Sequence, residues 1–180
     1  MPDISKSTRH SKIAGDYAEH LTLYFLSKHG FECARVDHTG IDIIARNPHT
    51  DEFMGVSVKG RSRSKGKEET SIRIPADHFK KVADACKAFG CVAYYSIVVD
   101  QGDKTTVFIL SGKSVAEIYP RAGQQQGVNW AMDAKAILKY RAHPDVVRLT
   151  IRHTFDCWWG QDGSLARLDL CDVDKNEVDQ

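Results

Sequence analysis

Two short apolar runs, IDIIA at 41–45 and FMGVSVKG at 53–60, flank a gap of turn-forming residues, RNPHTDE. Runs this short, rich in Ile and Val and bounded by Asn, Pro and Gly, read as neighbouring β-strands. Side chains alternate across a strand, so Asp42 shares a face with Ile44, while Ile41, Ile43 and Ala45 face the other way. By the same rule Ser57 and Lys59 share one face, and Val56 and Val58 the other. Pairing the strands brings a carboxylate and an ammonium close together in an otherwise apolar sheet. Any fold for this chain must house them. A buried ion pair is a poor route to stability, because desolvation offsets the attraction. Two readings follow: a structural salt bridge, or a metal-binding carboxylate beside a lysine that orients or deprotonates water.

The flanking segments supply the rest of a layered fold. Residues 11–29 carry apolar side chains at 13, 14, 17, 18, 21, 24 and 25, a helical stripe stopped by Gly30. Leu23 and Leu26 interrupt its polar side, so this helix is enclosed on more than one face. FECARV at 31–36 reads as a short strand, and SIRI as a half-exposed one. Pro75 opens a helix, ADHFKKVADACKAF, that Gly90 closes. CVAYYSIVV and TTVFIL form a hairpin about DQGDK. SVAEIY reads as a short helix and WAMDAKAILKY as an amphipathic one with Asn129 as its cap. VVRLTIRHTFDCWWG adds a strand, and RAGQQQGV at 121–128 is the least structured interior stretch. This order predicts an α/β fold with a mixed central sheet flanked by helices. A chain of 180 residues suits one core. The expected division is a polar arm at 1–10, one domain at 11–160 and an acidic tail at 161–180.

Cysteines at 33, 86, 91, 157 and 171 form no CxxC pair and are odd in number. They read as free thiols in a reducing, cytoplasmic setting. No run reaches 18 apolar residues, so no membrane helix is expected, and MPDISKSTRHSK lacks the apolar core of a signal peptide.

The net charge of +1 conceals an uneven distribution. From 59 to 81, eight Lys or Arg face three acids; from 156 to 180, seven acids face two bases. Arg61, Arg63, Lys65 and Lys67 in KGRSRSKGK, extended by Lys80 and Lys81, suit contact with nucleic-acid phosphates. The bland alternative is a solvated loop. Of the next pair, Phe79 reads as core and His78 as surface. HTFDCWWG holds His153 and Asp156 but no second ligand pair, so it is not a zinc site. Trp158 and Trp159 cannot both face inward on an extended strand. One of them is therefore a candidate contact in a homodimer or under a base.

Glu19, in GDYAEHL, lies on the helix side that carries Leu23 and Leu26. A carboxylate among leucines needs a partner; Lys59, Arg35 and solvent are the candidates. Converging with Asp42 and Lys59, it would complete a hard-cation site with a general base. Gly-x-x-Ala-Glu in the first helix, Gly-Ile-Asp at a strand start and x-x-Lys at the end of the next strand resemble the PD-(D/E)xK nuclease superfamily. Archaeal-type Holliday junction resolvases and restriction-endonuclease-like nucleases are the nearest forms, over residues 13–100. The resemblance implies a restriction-endonuclease-like core acting on DNA. It also implies Glu19 and Asp42 as Mg2+ ligands, with Lys59 positioning or activating the attacking water. One position departs from the pattern: Ser57 stands where an acidic side chain is expected. A hydroxyl is a weak neutral ligand, which lowers Mg2+ affinity and favours Mn2+. A carbonyl near position 58, Asp37 or Asp51 are the substitutes considered. Three functions follow: a Mg2+-dependent endonuclease, an inactive nuclease fold that binds nucleic acid, or an interaction module with a structural charge network.

Overall fold

Burial at Ala18, Thr22 and Leu26, four residues apart, defines the inner stripe of α1 (His10–Lys28). The computed structural model describes residues 6–64, 66–122, 126–154, 157–159 and 164–167. After α1 come β1 (Glu32–His38), β2 (Ile41–Arg46), β3 (Phe53–Ser62), β4 (Ile72–Ile74) and α2 (Ala76–Phe89). Then follow β5 (Val92–Asp100), β6 (Lys104–Ser111), α3 (Gly112–Ile118), β7 (Val128–Trp130), α4 (Ala134–Ala142) and β8 (Val147–Arg152). A short antiparallel pair, β9 (Cys157–Trp159) and β10 (Leu165–Arg167), closes the described chain.

Six strands form the central sheet in the order β1-β2-β3-β5-β6-β8. Every pairing is antiparallel except β3 with β5, which α2 joins as the crossover. This is a mixed α/β fold, its central sheet flanked by helices. Alternation along the strands sorts the core into two layers. Ile43, Val56, Val58, Val98 and Val107 pack with Ala18 and Leu26 of α1. Ile97, Val99, Phe108 and Leu110 pack with Val82 and Cys86 of α2 on the other side. Burial on both faces explains why β5 and β6 read as continuous apolar runs.

Pro75 sits at the N-cap of α2, and Gly90 ends that helix in the left-handed region at φ 65°. Both are where the sequence places them. Other details differ. Ile41 belongs to the α2-side layer, not with Ile43. Just before it, Gly40, at φ +113°, turns the chain hard against the Lys81 carbonyl, where a side chain has no room. Trp130 and Asn129 lie in β7, paired with Ile72 and Arg73 of β4 in a second, two-stranded sheet. The helix expected from Trp130 starts only at Ala134, because Asp133 accepts the Ala136 N–H at 2.9 Å and caps it. Trp130 is instead fully buried and stacks on Tyr140 at 4.0 Å.

Among the described residues, Cys33, Cys86 and Cys91 are free thiols. No helix of the described chain is long and apolar enough to cross a membrane. Trp159 is 58% exposed; the Trp158 side chain, Asp156 and most of the acidic tail lie outside the described residues.

Candidate active site

The β2–β3 ladder runs from Arg46↔Phe53 to Ile43↔Val56. Asp42 lies one residue past that end. Its Oδ2 accepts the Val58 N–H at 2.6 Å and lies 3.4 Å from the Ser57 hydroxyl, which donates to it. The carboxylate thus satisfies a backbone donor beyond the end of that ladder, as a buried N–H requires. Lys59 follows on the same strand, and its Nζ donates to the Val58 carbonyl at 3.2 Å. Glu19 reaches the place from α1. The approach is close because β3 has glycine at 60: a Cβ there would lie 2.6 Å from the Ala18 Cβ and 2.8 Å from the Ala14 carbonyl oxygen.

Glu19 and Lys59 line one cavity of about 540 Å³ together with Gly15, Val58, Arg61 and His78. Arg73, Asp77 and Lys81 complete its charged wall. Asp42 backs it through Ser57 and Val58. Burial lowers the pKa of Lys59 below the usual lysine range; Asp42 and Glu19 oppose that shift, while Arg61 and Lys81 reinforce it.

Glu19 does not bond to Lys59. Its Oε2 forms a 2.6 Å ion pair with Arg35 Nη2, the side chains being 25% and 44% exposed. The basic residues divide as well. Arg61 lines the cavity. Arg63 does not present its charge to it: Nη2 donates to the Thr70 and Ser71 carbonyls at 2.7 and 2.9 Å, tying the loop to itself. Lys67 is exposed, and Lys65 lies outside the described residues. Lys81 pairs with Asp77 at 2.7 Å at the cavity wall, whereas Lys80 pairs with Asp84 along the helix.

Asp37 and Asp51 are both exposed, and Asp51 pairs with Arg46 at 2.6 Å. Neither lines this cavity.

The expectation of a surface His78 is overturned. It is half-buried, and its Nε2 stands 2.8 Å from Ser57 Oγ, which is itself fully buried. Burial, and then the charge of Lys59, push its pKa down to about 4. The imidazole is therefore neutral near pH 7. His78 lies four residues before Val82, on the buried stripe of α2, and that spacing was the signal available in the sequence. Arg73 carries no such signal; only the β4–β7 pairing brings it to the wall.

The cavity is lined by the Glu19 carboxylate and by Val58, and the Asp42 carboxylate stands behind it on the Val58 N–H and the Ser57 hydroxyl. Oδ1 of Asp42 and Oε1 of Glu19 carry no hydrogen bond among the described residues. Hard oxygen donors of this kind fit Mg2+ or Mn2+. A separate group, Glu117, His143 and Asp145, has donor atoms within 4.8 Å of one another and could in principle hold a divalent ion. It sits on α3 and beyond α4, and Asp145 borders a larger cavity of about 680 Å³ at the opening end of β3. That cavity has an apolar floor of Leu26, Met54, Ile109 and Leu149. Neither Lys59 nor Glu19 lines it.

No family model matches the chain, and no curated protein matches it. Among solved structures it is similar to a Holliday junction resolvase from the archaeal hyperthermophile Archaeoglobus fulgidus. The identity is 20% and the TM-score 0.46, covering 64% of this chain and 88% of that one. The sheet itself is mixed, with a parallel β3–β5 pair after three antiparallel strands.

Proposed function

We propose that the cavity at the closing end of β3 is the centre of a metal-dependent nuclease that hydrolyses phosphodiester bonds of DNA. The supporting observation is Lys59: a half-buried lysine of lowered pKa, acted on by Asp42 and Glu19, in a cavity walled by Arg61, Arg73 and Lys81. Structural lysines seldom occupy such a position, whereas reactive ones need it.

Asp42, Glu19 and the Val58 carbonyl would hold the ion. A bound Mg2+ or Mn2+ supplies polarisation of the phosphate and a water of lowered pKa. Lys59 takes a proton from the attacking water in its neutral form, or stabilises phosphate charge in its protonated form. Arg61, Arg73 and Lys81 hold the phosphate backbone, and Arg35 fixes the Glu19 carboxylate.

The same Glu19–Arg35 pair, with serine at 57, also favours a second reading, a nucleic-acid-binding protein without catalysis. Lys59→Ala separates the two. The nuclease reading expects at least about a hundredfold loss of cleavage with DNA affinity changed less than about threefold. Cleavage unchanged by Lys59→Ala would contradict the proposed role of the lysine, and binding without cleavage by the wild type would favour the second reading.

A further inference from the structure

The cavity that Glu19 and Lys59 share has a positive lining. Four cations, Lys59, Arg61, Arg73 and Lys81, stand there against the carboxylates of Glu19 and Asp77, an excess of two positive charges. Both carboxylates are already engaged, Glu19 by Arg35 from outside the lining and Asp77 by Lys81 within it. We propose that this cavity holds the terminal phosphate of a nucleic-acid strand, a phosphomonoester bound by Lys59, Arg61 and Arg73; the inference rests on the nucleic-acid reading above and names the kind of substrate.

Among the described residues these three cations hydrogen-bond to neutral acceptors. Lys59 Nζ donates to the Val58 carbonyl at 3.2 Å, Arg61 Nη1 to the Gly60 carbonyl at 2.7 Å and Arg73 Nη1 to the Asn129 amide oxygen at 3.2 Å. The remaining N–H groups of each are charge-assisted donors that phosphate oxygens can use. The three converge from separate elements. Lys59 and Arg61 share one face of β3, two residues apart, and Arg73 is held at the wall by the β4–β7 pairing. Like charge already strains the group: burial lowers the pKa of Lys59, and Arg61 and Lys81 lower it further. An anion among them relieves that repulsion. A backbone phosphodiester carries one negative charge with chain on both sides, and suits cations spread along a surface. A terminal phosphate carries about two negative charges near pH 7 and has chain on one side only. It therefore matches the excess charge of the lining. A cavity of about 540 Å³ is of small-ligand size, so it admits a strand end while the rest of the strand stays outside.

The test is equilibrium binding of the full chain, in chelator, to fluorescent DNA hairpins that differ only at the free end: 5′-phosphate, 3′-phosphate or hydroxyl. One phosphorylated end should bind at least about tenfold more tightly than the hydroxyl form, and added inorganic phosphate should erase the difference. Arg61→Gln and Arg73→Gln, each verified as folded by circular dichroism, should bring the ratio between the two ends to about twofold or less. Lys80→Gln, which removes a cation outside the lining, should keep the ratio. Equal affinity for all three ends would overturn the inference, and so would a preference that survives in both arginine variants. Metal-dependent cleavage of a closed circular strand as fast as of a phosphorylated linear one would also overturn it, while the nuclease reading stood. A phosphate preference without metal-dependent cleavage of any substrate would uphold it and sink the nuclease reading alone.

Discussion

His78 carries a pH signature that follows from its surroundings. Its ring faces Lys59 and Asp42 from the sheet and Asp77 and Lys81 from its own helix, and burial with Lys59 outweighs the acids. The folded-state pKa of about 4 lies below the unfolded value of 6.5. The unfolded chain therefore takes up the proton first as pH falls. The stability linked to this group is present above pH 6.5 and is lost as pH drops from about 6.5 to about 4. In the metal-free protein, His78→Gln should flatten the dependence of the melting temperature on pH across that window. An equal slope for wild type and variant would show that other groups control acid unfolding. At this scale the sequence was only partly legible. Asp42, Ser57 and Lys59 could be assigned to faces because strands alternate with period two. Arg63 resembled its neighbours in composition, yet its guanidinium is engaged by two loop carbonyls whose position no local pattern encodes.

The meeting of α1 and β3 depends on one missing side chain. Gly60 lets Ala14 and Ala18 approach the strand, and Glu19 follows one residue later on the helix. Gly60→Ala should therefore move the helix outward, costing about 1–3 kcal/mol of stability and reducing DNA cleavage. Chemical denaturation reads the first effect. Wild-type stability in this variant would mean the contact is looser than the 2.6 Å approach implies. Helices with caps and stripes, α1 and α2, were legible in the sequence, as was the β5–β6 hairpin with its turn. The β4–β7 pair was not. Ile72–Ile74 and Val128–Trp130 are three residues each and far apart in the chain, so neither periodicity nor turn chemistry links them. That pairing, invisible locally, is what brings Arg73 to the cavity wall.

Across the whole molecule, the charge balance and the fold converge at the closing end of the interior strand β3. Residues 59–81 hold the local excess of Lys and Arg, and Lys59, Arg61, Arg73 and Lys81 from that stretch line one cavity with Glu19. A phosphate backbone drawn there by counterion release would meet the proposed metal ligands and the half-buried lysine together. The most direct measurement is cleavage of end-labelled branched and linear DNA by the full chain, with Mg2+, with Mn2+ and with chelator, beside Asp42→Asn. The account predicts products in the presence of metal, more with Mn2+ than with Mg2+, none with chelator, and at least about a hundredfold less with Asp42→Asn. No metal-dependent product from wild type, or full activity in Asp42→Asn, would contradict it.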